Sequence, residues 1–408
     1  MRTLCRSVLC AAMLAGGLTP ALSNPVLAAE PLRDAADRRA EGRAIAARAI
    51  EYLRTQQDDA TGGWGVRAGA PRLPAITGLV LQGMLMDPRI DARDEAVARG
   101  VAFVLAQRQA DGGIYDRILP SYNTAICVSA LARVGTPEAA EAVQGGIAFL
   151  RAMQWHEGAG VGSDADRETA RVGRDHPFYG GVGYGGSSRP DNSNLHFFIN
   201  AFIDAGVDCE DPAVQRALVF LERTQMHHEI NDMPYAEGST QGGFIYATSP
   251  SGDQLGVGES KGGEIEELTP DGQRVSRLRA YGSMTYAGFR TYIYAQLERD
   301  DPRVAAALDW IRRHYTLREN PGVGLDGYYY YLVTFANALA ALGEPSLDVI
   351  HADGRTEARD WRGDLIGRLA ELQNDDGSFR PLDQRWMEGD PVLITAYSLI
   401  ALQHALRD

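Results

Sequence analysis

Apolar and polar positions along this chain fall into two helical patterns that take turns. The first is amphipathic: Val214, Leu218 and Leu221 recur at helical spacing behind Asp211-Pro212, an N-cap followed by the residue favoured at the first helical position. Asp301-Pro302 opens another such run. The second is apolar nearly all round, as in Ile76 to Leu85 and Val392 to Leu402. A helix apolar on every side must be buried. The two patterns alternate six times, joined in the same way in five copies, the fifth copy being degenerate. An amphipathic run closes on Gln, a Gly-rich turn with an aromatic or large apolar residue follows, and an apolar helix comes next.

The first copy passes through Ile50 to Leu53, Gln56-Gln57 and Gly62-Gly63-Trp64 into a helix from Ala75 to Leu85. Later copies turn at Gly112-Gly113-Ile114-Tyr115, Gly180-Gly181-Val182-Gly183-Tyr184, Gly242-Gly243-Phe244, Gly324 to Gly327, and Gly377-Ser378-Phe379. Their apolar helices are Asn123 to Val134, Asn194 to Ala205, Ser283 to Leu297, Tyr328 to Leu342 and Pro391 to Ala405. Copies spaced roughly 50 to 85 residues apart predict an array of helical hairpins. An open stack would leave apolar helices bare at its ends unless they were capped by polar ones. Neither the first nor the last copy has a polar second helix. The expected fold is therefore all-α: an α/α toroid of about six hairpins, an inner ring of apolar helices inside an outer amphipathic ring. A small β-hairpin insertion is expected as well.

Gln57 followed by Gly62-Gly63-Trp64, and Gln373 followed by Asp376-Gly377-Ser378-Phe379, resemble the Gln-to-aromatic repeats of triterpene cyclases and protein prenyltransferase β-subunits. The resemblance spans about Arg43 to Leu406. It implies a central apolar cavity that takes an isoprenoid-type small molecule, and an activity of cyclisation or prenyl transfer. The families' catalytic motifs are missing. Asp208-Cys209-Glu210-Asp211 is the string nearest to the Asp-rich cyclase motif, but it precedes Pro212 and reads as a helix-capping linker. No Asp-x-Cys offers the zinc ligands of a prenyltransferase, and the Cys-Gly-Glu-Gln of thioester proteins is absent. A non-catalytic lipid- or peptide-binding toroid is the first alternative, and a carbohydrate-active toroid the second.

In such a ring the cavity is lined by the starts of inner helices. Asp191, Asn194 and His196 open the third, and Asp390 with Thr395 the sixth. A carboxyl buried among apolar groups has its pKa raised and can work as a general acid. Asp191 and Asp390 are accordingly the catalytic candidates, against the plainer reading that each is an N-cap. Tyr328 to Tyr331 fan out by about 100° per residue, so one or two can face the cavity; Tyr328 and Tyr331, with Tyr281 and Tyr286, are the candidates to stabilise a cation there. His156, His176, His227 and His228, with Asp175 and Asp232, match no ligand spacing, and no metal or cofactor is expected. Residues 247–279 form an insertion whose acidic arm (Glu264 to Leu268) and basic arm (Arg274 to Leu278) flank Pro270-Asp271-Gly272, the signature of a β-hairpin. It reads either as a lid or as a decorative arm.

The N-terminus changes the setting. Arg2 and Arg6 precede an apolar stretch from Val8 to Leu18 and small residues near Ala28, the order of a removable signal peptide. Residues 1–28 are thus expected to direct export to the periplasm or beyond, leaving 29–408 as one toroid domain. The whole chain carries a net charge of −14, and losing two arginines and no acid gives −16. Such a chain repels polymer phosphate, which excludes nucleic acid as a partner. No later segment is long and apolar enough to span a bilayer. Cys127 and Cys209, in a helix and a linker, are expected to be free. Oligomeric state is not legible.

Overall fold

The computed structural model describes residues 35–65, 72–158, 171–185, 188–268 and 272–407. The signal peptide expected at 1–28, and Pro270-Asp271 of the hairpin turn, lie outside the described residues. Among the described residues there are twelve α-helices. The outer ones are α1 (Ala35–Thr55), α3 (Glu95–Leu105), α5 (Pro137–Met153), α7 (Pro212–Glu222), α9 (Pro302–Arg313) and α11 (Trp361–Leu372). The inner ones are α2 (Pro74–Leu85), α4 (Pro120–Leu131), α6 (Asn192–Asp204), α8 (Gly282–Tyr294), α10 (Tyr328–Leu342) and α12 (Pro391–Leu406). Asp94, Thr136, Asp211, Asp301 and Asp360 cap α3, α5, α7, α9 and α11 through backbone N–H groups of the first turn. The inner helices pack in sequence, α2 to α4, α6, α8, α10 and α12, and α12 packs back on α2. The ring is closed.

The recurring Gln explains how one hairpin is fastened to the next. Gln57 Nε2 donates to Gly62 O of its own turn and to Ala96 O of α3, both at 2.8 Å. Gln154 does the same with Gly180 O and Ala213 O of α7, and Gln225 with Gly242 O and Arg303 O of α9. Gln373 completes the circle by donating to Gly377 O and to Ile45 O of α1, while its Oε1 accepts from Arg48 Nε at 2.9 Å. The last repeat is thus tied to the first by the same bond that joins internal neighbours. Gln107 is an exception, turning back on Phe103 O of its own helix.

The glycine that follows each Gln has a steric reason. Gly180 has φ +81° and lies against the Arg216 carbonyl of α7, where any Cβ would overlap that oxygen. Gly377 has φ +89° and meets the Arg48 carbonyl of α1 in the same way. In four of the turns the large residue is buried and a threonine of the inner helix accepts its N–H. The pairs are Trp64 with Thr77, Ile114 with Thr124, Phe244 with Thr285 and Phe379 with Thr395. Thr395, expected at the cavity, therefore belongs to the packing between turn and helix.

The insertion forms a hairpin of β1 (Glu264–Leu268) and β2 (Arg274–Leu278), antiparallel with Glu266 opposite Ser276. Arg274 pairs with Glu266 at 3.0 Å across the strands. Gln241 anchors it, donating to Glu267 Oε2 and Leu278 O. A second hairpin, β3 (Leu347–Ile350) with β4 (Thr356–Arg359), joins α10 to α11 and was not expected from sequence. Cys127 and Cys209 are free.

Candidate active site

The starts of all six inner helices converge on a cavity of about 230 Å³. Its wall is built from Ile76 of α2, Tyr122 of α4, Ser193 and Phe197 of α6, Met284 of α8, Tyr330 of α10, and Leu393 and Tyr397 of α12, with Tyr184, Tyr246, Tyr281 and Trp386 from the loops. The rings interlock: Tyr122 meets Phe197 edge-on at 5.2 Å, Phe197 lies 5.7 Å from Tyr330, and Tyr330 6.1 Å from Tyr397. Such a wall offers aromatic faces, whose negative quadrupole attracts cations, on several sides of one hollow.

Among the described residues the wall has one carboxyl group, Glu388, which is only 2% exposed. Its Oε2 accepts from Tyr329 N at 3.0 Å and its Oε1 from Tyr330 N at 2.8 Å. These are first-turn amides of α10, whose own N-cap, Gly327, has no side chain to offer them. Burial pushes Glu388 up to about 7, and the backbone donors hold it back from rising further. Half-protonated near neutrality, it can give up a proton while its developing charge is met by preorganised N–H groups at a helix N-terminus. The loop that delivers it is strained. Trp386 and Met387 have φ of 53° and 66°, and Arg117 and Leu119, also before an inner helix, have 64° and 52°. Left-handed conformations in non-glycine residues cost about 1–3 kcal/mol each and cluster at functional sites.

Asp191 and Asp390, the two acids singled out from sequence, are both N-caps. Asp191 Oδ1 accepts from Ser193 N, Ser193 Oγ and Asn194 N, and Oδ2 accepts from Asn194 Nδ2 at 2.8 Å. It is buried directly behind the wall, and desolvation raises its pKa. Asp390 caps α12 through Val392 N and Leu393 N. It lines a different recess, with Tyr52, Gln56 and Met387. The acid that this loop presents to the central cavity is Glu388, because the left-handed pair Trp386-Met387 turns the chain inward just before it. Sequence reasoning missed Glu388.

Of the tyrosines expected at the cavity, Tyr281 is in the wall. The helical fan at α10 resolves differently from expectation. Tyr328 Oη donates to Leu317 O, Tyr329 Oη to Arg380 O at 2.6 Å and Tyr331 Oη to Thr316 O at 2.7 Å. Tyr330 alone of the four faces the hollow, and among the described residues its hydroxyl has no partner. Tyr286 is buried against Tyr331 and Phe335. Asn194 serves Asp191, and His196 lies below the wall with its ring against Phe197 and Tyr330.

The mouth is apolar. Among the described residues, most of the large hydrophobic side chains that remain exposed lie in loops running from an outer to an inner helix. Ile118, Tyr184, Leu325, Trp386 (45% exposed) and Met387 (42%) are five of them. The β1–β2 hairpin contributes no residue to the wall. Among the described residues no three His, Cys, Asp or Glu side chains converge as a metal would require, and no helix is long and apolar enough to cross a membrane.

No protein-family profile matches the sequence, and no curated protein does. Among solved structures the chain is similar to MstE, a type II terpene cyclase from Scytonema. The identity is 13% and the TM-score 0.51, over 91% of this chain and 99% of that one. A protein from Actinoplanes matches at 16% identity and TM-score 0.47, covering 89% and 99%. A glycosidase matches at 11% and 0.47, covering 92% and 99%. Identities this low speak to the fold alone, and in its closed double ring of helices this chain has the α/α-toroid fold of the terpenoid cyclases and prenyltransferases.

Proposed function

We propose that this chain takes an isoprenoid-type molecule into its aromatic cavity and that Glu388 starts a cyclisation by protonating it. The observation that carries the proposal is a single near-neutral carboxyl in the wall of an otherwise apolar, tyrosine-rich hollow. The proton passes from the Glu388 carboxyl to one carbon of a C=C bond, leaving a carbocation at the other. The faces of Tyr122, Phe197, Tyr330 and Tyr397 stabilise that charge while a second C=C attacks it and a ring bond forms. Loss of a proton from the cyclised cation to the Glu388 carboxylate restores the acid, so the step is an isomerisation that needs no co-reactant. The exposed apolar mouth suits admission of a greasy chain. MstE, which shares the fold, is known in complex with geranylgeranyl dihydroxybenzoate as substrate. The reading includes export through residues 1–28, as expected from their sequence.

Incubation of the protein with linear polyprenyl alcohols of increasing length, followed by mass spectrometry of the extract, tests the proposal. A product of unchanged mass with fewer double bonds is expected from the natural chain and not from Glu388→Gln. The second reading, a binding protein without chemistry, is favoured by the capping role of Glu388. It predicts bound but unconverted alcohol in both proteins.

A further inference from the structure

At the end of the ring away from the mouth, the inner helices bring together an unusual polar group. Arg133 follows α4, His196, Asn200 and Asp204 lie on α6, Arg290 on α8, His404 on α12, and Arg407 follows α12; their charges act on one another. Arg290 is the outlier: among the described residues its guanidinium makes no hydrogen bond and no ion pair, and its Nη1 is shut off from solvent. Arg133 Nη2 is paired with Asp204 at 2.6 Å, but its Nε is buried without a partner. Asn200 Nδ2 meets His196 Nε2 at 3.0 Å, which leaves Asn200 Oδ1 buried and unpartnered. Burial and the Arg290 charge push His196 down to about 3, so its imidazole is neutral, and the same influences depress His404. Among the described residues the cluster therefore holds the guanidinium charges of Arg133 and Arg290, with that of the exposed Arg407 at its edge, against the carboxylate of Asp204.

Helix dipoles do not account for it. Arg133 and Arg407 follow helix C-termini and complement their partial negative charge. Arg290 sits four residues before the end of α8, its Cα–Cβ bond leans toward the N-terminus, and it bonds no carbonyl. Arg290 is half-buried and feels the Asp204 charge, but its enclosed Nη1 is a donor left without an acceptor, which is costly, and unsatisfied donors beside an unsatisfied acceptor call for a group that both accepts and donates.

We infer that this end of the toroid is a binding site for a small phosphate-class oxyanion, with Arg290 as its principal ligand and Arg133 beside it. The P–O⁻ oxygens accept from the two guanidinium groups, a geometry the planar Arg fork matches. The P–OH of a monohydrogen or dihydrogen species donates to Asn200 Oδ1. The site is separate from the cavity, with Phe197 and Tyr330 between them, so the inference stands whether or not the proposed cyclisation is right.

Inorganic phosphate is the probe, titrated calorimetrically into the purified protein at low ionic strength and pH 6. Saturable one-to-one binding is expected. Arg290→Gln should weaken it about 30-fold or more, as when one partner leaves a buried charge pair; Arg290→Lys should retain part of it. In phosphate-free buffer Arg290→Met should raise the melting temperature, because it removes an enclosed donor without an acceptor from a cluster in which Arg133 repels it. Filling the cavity with Met284→Trp should leave phosphate binding unchanged, which separates a free anion from the head group of a cavity ligand. No saturation by about 10 mM phosphate, well above the millimolar range of weak ligands, would overturn the inference. So would equal affinity in Arg290→Gln, a lower melting temperature in Arg290→Met, or loss of binding in Met284→Trp.

Discussion

Replacing Glu388 by Gln should change how stability depends on pH, in a direction and by an amount set by its burial. In the unfolded chain this carboxyl ionises near the ordinary glutamate value of 4.5, and in the folded protein at about 7. Below pH 4.5 it is neutral in both states and costs nothing. Between 4.5 and 7 the unfolded chain gives up the proton while the folded one keeps it, so stability falls as pH rises. Above 7 the full cost is present, about 3 kcal/mol at about 1.4 kcal/mol per tenfold change in the ionisation constant. Glu388→Gln cannot ionise. Its amide leaves one of the two α10 N–H groups unpaired, a loss of about 1–3 kcal/mol that is the same at every pH. Urea unfolding of both proteins at intervals from pH 4 to 8 measures the difference directly. The natural protein should lose about 3 kcal/mol relative to the variant across that range. A difference that stays flat within about 0.5 kcal/mol, or one in which the natural protein gains with pH, would refute the reasoning, because Glu388 would then be an ordinary ionised cap.

Gly180→Ala should destabilise severely, by about 3 kcal/mol or more, because left-handed strain adds to a collision with the Arg216 carbonyl; Gly206→Ala, at φ +69° with nothing nearby, should cost only about 1–2 kcal/mol in the same melts. Gln373→Leu removes the tie between the last turn and α1. It should cost about 2–4 kcal/mol, and hydrogen exchange should quicken in α1 before the other outer helices; uniform exchange would count against closure by this bond. Tyr330→Phe removes a hydroxyl without a partner and should leave stability within about 0.5 kcal/mol, whereas Tyr331→Phe breaks a bond to Thr316 O and should cost about 1 kcal/mol by thermal unfolding.

The ring was legible because its grammar is local. A Gln, a left-handed Gly and a large residue recur with the same bonding pattern in four of the six copies, so short strings carry the fold. The two arms of the β1–β2 hairpin were legible for the same reason, from their opposed charges and a turn signal. Side-chain direction was not. Four consecutive tyrosines state only that a fan exists, and the phase of α10 decides that Tyr330 faces the hollow. Asp191 and Asp390 drew attention as acids before apolar helices, a position that caps fill. Glu388 lies in a loop with no periodicity, and its inward turn depends on two left-handed residues that nothing in Trp386-Met387 announces. One signal was available: α10 opens on Gly327, which cannot cap it, so an acceptor had to arrive from elsewhere. Arg290 left a clearer mark, the one charged residue within α8.

The central claim is that the ring encloses a hollow that takes one apolar chain. Equilibrium titration with a polyprenyl alcohol, read from Trp386 emission at the mouth and from heat release, tests it most directly. Saturable one-to-one binding is predicted for the natural chain and none for Met284→Trp, whose larger side chain fills the cavity. Failure to saturate, or equal binding by the filled variant, would contradict the account.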